Sequence, residues 1–258
     1  MKVATFNANG IRARLSVIVE WLEKESPDIL CLQETKVQDG EFPCQAIEDR
    51  AYHCTFRGQK AYNGVAILSK SPPEQTSFGF GDGDVAEEPR LVAVKMGDIW
   101  IVNTYVPQGY APESEKFQYK LHWLQRLKEY FAKHFEPGLP LLWAGDFNVA
   151  PAPEDVYDPK RLFGRVGFHP QEHEALAAVQ AWGFVDIFRK HEKADGMYTF
   201  WDYRIPGAVK RGLGWRIDHL WATPALAEKS TGAWIDMAPR SSQKPSDHTF
   251  VVAEFDVN

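Results

Sequence analysis

The sequence predicts an α/β fold, a layered sandwich in which β-sheets with antiparallel pairs pack between helices. Short apolar runs rich in Val, Ile and aromatic residues recur along the chain, and Gly, Pro, Asn or Asp bound them, which is typical of strands. Helical patterns alternate with these runs early in the chain. Several adjacent runs are joined by links too short for a helical crossover, which disfavours a doubly wound parallel sheet.

Nine segments have strand character. In chain order they are Lys2–Phe6, Asp28–Leu32, Tyr52–Phe56, Gly64–Leu68, Leu91–Lys95, Ile99–Tyr105, Leu139–Ala144, His219–Ala222 and Phe250–Phe255. Two of them echo each other, because Val3–Asn9 and Leu142–Asn148 both resemble a buried strand that ends in polar residues. The echo suggests two similar halves meeting at one site, with coincidence as the alternative.

Three helices follow from apolar residues at helical spacing. The first covers about Leu15 to Lys24 and stops before Ser26-Pro27, and the second runs from about Pro112 to Phe135. A third follows Pro170. Their predicted buried faces are Val17, Ile18, Trp21 and Leu22; Phe117, Leu121, Leu124, Leu127 and Phe131; and Leu176, Ala177 and Val179.

Composition and length favour one globular domain spanning residues 1–258. The chain has 44% hydrophobic and 25% charged residues, without a polar low-complexity tract or a long block of like charge. The sequence begins with strand character rather than a signal peptide, and its apolar runs are too short to span a membrane. Cys31, Cys44 and Cys54 lack a metal-type spacing, so we expect reduced thiols and a cytoplasmic protein.

Polar residues that are suited to catalysis or metal binding stand at the ends of the apolar runs. Asp146 and Asn148 follow Leu141–Ala144, and both point to one face if the strand continues, although a turn or helix cap is the alternative. Glu34 follows Leu30–Gln33 in the same way, with an exposed loop charge as its alternative.

The pair Asp247-His248 is the most specific feature, because an acid and an imidazole adjoin just before the last apolar run. Asp218 offers a second carboxylate that could orient His248 and support its positive charge. Together with Asn7, Tyr105 and Asn148, these residues form an oxygen-rich, thiol-free set that suits Mg²⁺ or Mn²⁺ rather than zinc. A phosphate ester is the substrate that such a site implies.

The chain resembles the exonuclease III family of abasic-site endonucleases, within the superfamily that also contains DNase I. The matching stretches occur in the family's order and span nearly the whole chain. They are Phe6–Arg12, Leu32–Lys36, Gly64–Ile67, Tyr105–Gly109, Gly145–Asn148, Trp215–His219 and Lys244–His248. The resemblance implies a DNase I-like fold, a four-layered α/β sandwich of two mixed sheets packed face to face and flanked by helices.

The resemblance also implies a role for each site residue. Glu34 would be the main metal ligand, with Asn7 and Asp247 in the metal shell and Mg²⁺ as cofactor, replaceable by Mn²⁺. Asp146 would activate or align the attacking water. Asn148 and Tyr105 would contact the scissile phosphate, and His248, backed by Asp218, would stabilise the charge that develops there. The family's reaction is in-line hydrolysis 5′ to an abasic site, leaving a 3′-hydroxyl and a 5′-phosphate.

Double-stranded DNA with abasic sites or blocked 3′ ends is the expected partner of a monomeric enzyme. The resemblance implies that Phe200, Trp215 and Ile217 form the wall of a pocket for the extruded abasic sugar, which fits the general need to move a target nucleotide out of the stack. Trp201 suits that pocket and the core equally. Gln108 is a candidate DNA contact, and basic loop residues are candidates for phosphate contacts: Arg12, Arg14, Lys60, Lys116, Lys160, Arg161 and Lys210.

Three departures from the family pattern bear on activity. Thr249 and Phe250 replace a small residue and a proline, His169 stands where leucine is common, and Asn9 stands where some relatives have aspartate. We expect His169 to affect the balance between internal incision and exonuclease action. The alternatives are a mainly exonucleolytic enzyme, a phosphoesterase acting on a non-DNA phosphate ester, and a catalytically silent DNA-binding protein.

Overall fold

Two six-stranded mixed sheets dominate the computed structural model, which describes residues 1–84 and 88–257. The strands are β1 Lys2–Asn7, β2 Ile29–Gln33, β3 His53–Arg57, β4 Val65–Ser69, β5 Gln75–Phe78, β6 Leu91–Met96, β7 Ile99–Tyr105, β8 Leu141–Asp146, β9 Val185–Asp186, β10 Asp218–Ala222, β11 Ser230–Asp236 and β12 Phe250–Phe255. The helices are α1 Ile11–Glu25, α2 Cys44–Glu48, α3 Glu115–His134, α4 Pro159–Leu162, α5 Pro170–Gln180, α6 Ile187–His191 and α7 Pro224–Ala227.

The two sheets have equivalent topologies. The first has the strand order β11-β12-β1-β2-β4-β3 and the second has the order β5-β6-β7-β8-β10-β9, and the chain visits corresponding positions of the two sheets in the same cyclic order. In each sheet one central pair is parallel, β1 with β2 and β7 with β8, and the other neighbours are antiparallel. The strands β1 and β7 therefore occupy equivalent positions, as do β2 and β8, so β1 and β8, which echo each other in sequence, share only membership of a central parallel pair.

The layers follow from which face of each sheet is apolar. Val3, Ile67, Ile101 and Leu142 belong to the core between the two sheets. The outer face of the first sheet packs against α1, and the outer face of the second packs against α3 and α5. The predicted four-layered sandwich is therefore confirmed. Within the described ranges, no helix combines the length and the apolar composition needed to cross a membrane.

Several predicted boundaries need correction. The strand β8 begins at Leu141 rather than Leu139 and continues through Asp146, because it stays paired with β7 up to Tyr105. Gly145 permits this pairing, since its φ is 141° and a Cβ would lie 2.0 Å from the Thr104 carbonyl oxygen. On α5 Ala177 is exposed rather than buried.

The ends of two helices also differ from the prediction. The helix α1 begins at Ile11, four residues earlier than Leu15. The helix α3 begins at Glu115 rather than near Pro112, because the Ser114 side chain accepts a hydrogen bond from the Phe117 backbone N–H and caps the helix. The sequence analysis also missed β5, β9 and β11, whose residues are largely exposed or half-buried and so lack a clear apolar signal.

A buried ion-pair network supports the start of β10. The Arg216 guanidinium donates to both Asp155 oxygens, from Nε at 2.7 Å and from Nη2 at 3.0 Å, and contacts Asp186 Oδ2 at 2.8 Å. His219 Nδ1 lies 3.0 Å from Arg216 Nη1, and its Nε2 lies 3.0 Å from the Val149 carbonyl oxygen. A neutral ring satisfies both contacts, because Nδ1 then accepts and Nε2–H donates.

We expect His219 to make the protein sensitive to mild acid. Burial, helped by the Arg216 charge, lowers the pKa of His219 from 6.5 to about 4. The unfolded chain therefore binds an additional proton at this residue between pH 6.5 and 4, and the contribution of His219 to stability falls as the pH falls through that window. The His219 contribution that is lost between pH 7 and pH 5 is about 2 kcal/mol.

Urea unfolding at pH 7 and pH 5 measures this loss. The substitution His219→Gln keeps an acceptor and a donor but does not titrate, so the variant should lose less stability than the parent protein over the same pH interval. Equal losses in the two proteins would contradict the assignment.

Candidate active site

The carboxyl ends of the two parallel strand pairs meet at one edge of the sandwich. Asn7 ends β1, Glu34 directly follows β2, Tyr105 ends β7 and Asp146 ends β8. In a parallel pair both strands end at the same side of the sheet, so each sheet delivers two of these residues to the same place. The antiparallel neighbours β12 and β10 start there, which adds His248 and Asp218.

Asn7 connects the two halves of the site. Its side chain is fully buried, and Nδ2 donates to Glu34 Oε1 at 2.9 Å and to Asp146 Oδ2 at 2.8 Å. Its Oδ1 accepts from the Asn9 backbone N–H at 2.9 Å, and Asn9 Nδ2 donates to Asp247 Oδ1 at 2.9 Å. Asn7 therefore holds two carboxylates in fixed positions on opposite sheets.

Glu34 is held as an ionised carboxylate. Its backbone is left-handed, with φ of 48°, and its Oε2 lies 2.7 Å from Lys36 Nζ. Burial raises the pKa of Glu34, but the Lys36 ammonium and the Asn7 amide outweigh burial and hold the pKa below its usual value. The negative charge of Glu34 therefore persists at neutral pH.

His248 and Asp218 form a buried pair. His248 Nδ1 lies 2.8 Å from Asp218 Oδ2, and the two residues are 4% and 0% exposed. Burial lowers the pKa of His248, but the Asp218 carboxylate, with help from Asp146 and Asp247, outweighs burial and raises the pKa to about 10. The imidazole is thus a cation at neutral pH, with Nε2–H 3.9 Å from Asp146 Oδ2.

The surroundings of Asp146 favour the neutral form of its carboxyl group. Burial and the neighbouring Asp218 charge raise the pKa of Asp146, against the opposing effect of His248. Its Oδ1 accepts from the Asn148 backbone N–H at 2.8 Å. Asn148 has a left-handed backbone, with φ of 52°, and its Nδ2 donates to the Val106 carbonyl at 2.9 Å. Asp146 is thus a carboxylate that takes up a proton more readily than an exposed one.

Tyr105 contributes a neutral hydroxyl. Burial and the Glu34 and Asp146 carboxylates raise the pKa of Tyr105 well above its ordinary value. The Arg90 guanidinium lies 4.8 Å from the ring centroid. Tyr105 is therefore a hydrogen-bond donor at neutral pH.

A pocket of about 500 Å³ opens beside these residues. Phe200 and Trp215 exchange backbone hydrogen bonds, and the Phe200 ring lies 4.9 Å from the His248 ring. Ten of the residues singled out from the sequence line the pocket: Glu34, Tyr105, Gln108, Asp146, Asn148, Phe200, Trp215, Ile217, Asp247 and His248. Asn7 and Asp218 are buried next to them. Trp201 is 4% exposed and belongs to the interior.

The candidate phosphate-contacting side chains are not among the residues that line this pocket. Arg12 is exposed and pairs with Glu41 at 3.4 Å, and Lys210 is exposed in the loop after Arg204. Arg14 Nη2 donates to the Tyr203 hydroxyl at 3.1 Å. Lys116 borders a second groove, which shares Tyr105, Gln108 and Tyr110 with the pocket.

The donor set suits a hard divalent cation. Atoms of Glu34, Asp146 and His248 lie within 4.8 Å of one another, so the site could hold an ion. Carboxylate and amide oxygens are the ligands that Mg²⁺ and Mn²⁺ prefer. A protonated imidazole has no free lone pair for a metal, so Glu34 and Asp146 are better ligands than His248. Asn7 and Asp247 stay predicted ligands. The Asn7 side chain directs its N–H groups at the Glu34 and Asp146 carboxylates.

Sequence reasoning missed several residues of the site. Lys36 neutralises the Glu34 carboxylate. The available signal in the sequence was its position, two residues after Glu34. Other pocket-lining residues come from loops or, for Leu162, from the end of α4, and their approach to the pocket depends on tertiary contacts. They are Tyr110, Tyr157, Leu162, Val166, Gly167, Asp202, Arg204, Ile205 and Leu213.

Known proteins with similar sequences and structures act on DNA. Residues 4–248 match the model of the Endonuclease/Exonuclease/phosphatase family. Exodeoxyribonuclease III from Haemophilus influenzae is 34% identical over 268 residues, which cover 99% of this chain and 100% of that protein.

Two solved structures superpose over the full length of both chains. An AP endonuclease from Archaeoglobus fulgidus has a TM-score of 0.96 and 47% sequence identity. A 3′ phosphatase from Neisseria, bound to a product DNA hairpin, has a TM-score of 0.93 and 36% identity.

Proposed function

Because this chain belongs to the endonuclease/exonuclease/phosphatase family, we propose that it is a DNA-repair phosphodiesterase that cuts duplex DNA 5′ to abasic sites. The products would be a 3′-hydroxyl and a 5′-phosphate. We include removal of blocking groups from 3′ ends and 3′→5′ exonuclease action, since relatives are named for these reactions. We further propose that residues 1–258 act as one domain and as a monomer.

The main support for this proposal is that two side chains of different charge lie close together. A cationic imidazole, His248, and a carboxylate with a raised pKa, Asp146, face each other 3.9 Å apart at the bottom of the pocket. Hydrolysis of a phosphodiester needs positive charge at the phosphate and a base near the attacking water. These two side chains supply both requirements within one site.

Each residue of the site has a defined task. Asp146 aligns the attacking water and accepts its proton. His248 Nε2–H donates to a non-bridging phosphate oxygen, and Asp218 keeps the imidazole charged and oriented. The Asn148 amide and the Tyr105 hydroxyl donate to the same phosphate. Preorganised donors of this kind each lower the barrier by about 3–4 kcal/mol in well-studied sites.

A divalent cation completes the site. The family is metal-dependent, and we propose Mg²⁺, replaceable by Mn²⁺, held by Glu34 with Asn7 and Asp247 nearby. When bound, the cation supplies Lewis acidity that stabilises negative charge on the phosphate and the leaving oxygen.

The walls of the pocket support abasic DNA as the substrate. Phe200, Trp215 and Ile217 give it an apolar surface next to the polar site. A sugar without a base is small and presents apolar carbon atoms, whereas a normal nucleotide brings a bulky base that must leave the stack. The pocket therefore favours an extruded abasic sugar.

Incubation of the purified protein with a 5′-labelled duplex that carries one tetrahydrofuran abasic analogue tests the proposal. We expect a single cut 5′ to the analogue with Mg²⁺, and none with EDTA or on an undamaged duplex. Cleavage ladders from the 3′ end of both duplexes would identify an exonuclease instead. No cleavage of DNA, together with phosphate release from an inositol phosphate, would identify a non-DNA phosphoesterase.

A further inference from the structure

A fully buried lysine lies directly beneath the pocket. Lys120 projects from α3, and its side chain has 0% exposure. Its ammonium donates to the Asn148 carbonyl at 2.8 Å, to the Gln108 carbonyl at 3.3 Å, and to Glu172 Oε1. The three donors of the ammonium are thus committed to three partners, two of which are backbone atoms of pocket-lining residues.

Glu172, the partner of Lys120, anchors a third pocket-lining segment. Glu172 projects from α5 and is also fully buried. Its Oε2 accepts from the Gly167 backbone N–H at 2.7 Å and from the His169 backbone N–H at 3.2 Å. Both oxygens of the carboxylate are therefore engaged, one by the lysine and one by the loop.

The anchored segments also contact one another. Gly167 has a φ of 87°, and a Cβ at this position would lie 3.3 Å from the Trp215 ring and 3.5 Å from the Asn148 carbonyl oxygen. Little space therefore separates this loop from the aromatic wall and from Asn148. A small displacement of the loop would therefore also displace Trp215 and Asn148.

Stability is a weak reason for burying such a pair. Replacing a buried ion pair by apolar residues of similar volume is often neutral or stabilising, because desolvation cancels most of the attraction. A buried ion pair does fix directions, since its hydrogen bonds must all be satisfied. Here every remaining hydrogen bond of the pair goes to the backbone of the pocket or of the loop that borders it.

We propose that the buried Lys120–Glu172 pair positions three pocket-lining segments, at Gln108, Asn148 and Gly167, for the reaction. Lys120 is a positioning residue, because it acts on the scissile phosphate through Asn148 rather than touching the substrate. The hydrogen bond from the Lys120 ammonium to the Asn148 carbonyl fixes the position of Asn148, whose side chain is assigned to the phosphate. This inference rests on the proposed function of the site.

Lys120→Met removes the donor while keeping the length and volume of the side chain. We expect kcat on abasic DNA to fall at least tenfold, because misplacing a catalytic group by a fraction of an ångström is costly. Affinity for DNA should change less than threefold, since the outer surface of the protein is unaltered. The matched control is Leu127→Ala, two turns further along α3, which loses stability in the helix core but should keep kcat within twofold.

The comparison uses kcat at saturating DNA, DNA affinity by fluorescence anisotropy in EDTA, and thermal unfolding for each protein. If Lys120→Met keeps kcat within twofold of the parent, or if Leu127→Ala loses kcat to the same extent, the proposal is overturned. If Lys120→Met does not fold, the double variant Lys120→Met/Glu172→Gln decides by the same criterion, since it leaves no unpaired buried charge. The parent protein in the same assay reports separately on the proposed function, because its failure to cut abasic DNA would leave no rate to compare.

Discussion

Replacement of His248 by asparagine should lower kcat on abasic DNA by about 10²–10⁴-fold. The imidazole is the buried cation of the site, because Asp218 raises its pKa to about 10. Asparagine carries no charge, and its amide nitrogen takes the place of Nδ1 rather than of Nε2, so the negative charge that develops on the phosphate loses its main protein partner. Single-turnover rates with excess enzyme measure the effect on the chemical step.

Asp218→Asn provides the matched comparison. It keeps the volume of the side chain and a contact with His248 Nδ1, but it removes the charge that raises the imidazole pKa. We expect the alkaline limb of the pH–rate profile to move to lower pH, while His248→Asn removes that limb. DNA affinity should stay within a few-fold of the parent in both variants. A loss of affinity as large as the loss of rate would contradict a role in the transition state.

Glu34→Gln should abolish most of the Mg²⁺-supported activity. The substitution keeps the shape and the hydrogen bond from Asn7, but it removes the ionised oxygen that lies 2.7 Å from Lys36 Nζ. A neutral amide binds Mg²⁺ far more weakly than a carboxylate, so we expect the rate at 1 mM Mg²⁺ to fall by about 10²–10³-fold. Higher Mg²⁺ should restore part of it.

Rates measured across a Mg²⁺ and a Mn²⁺ titration, with ion binding followed by calorimetry, check this expectation. Glu20→Gln, an exposed glutamate of α1, is the control for loss of one negative charge and should behave like the parent. An unchanged Mg²⁺ dependence in Glu34→Gln would exclude Glu34 as the main ligand.

The sequence by itself predicted the layered sandwich, most of its strands and the family resemblance. These predictions succeeded because central strands are apolar on both faces and therefore give continuous apolar runs, as in β1, β2 and β8. Polar residues that end such runs, such as Glu34 and Asp146, stand out against that background. The echo between β1 and β8 has the same origin, since each strand belongs to the central parallel pair of its sheet, although β8 is the counterpart of β2 rather than of β1.

Only the tertiary structure decided which charges compensate one another. The strands β1 and β8 belong to different sheets, so the contacts from Asn7 to Glu34 and Asp146 depend on how the sheets pack. The Lys120–Glu172 pair joins residues 52 positions apart on two helices. In sequence Lys120 is one lysine on an amphipathic helix, indistinguishable from a solvated one. Its burial follows from long-range packing, which local patterns do not encode.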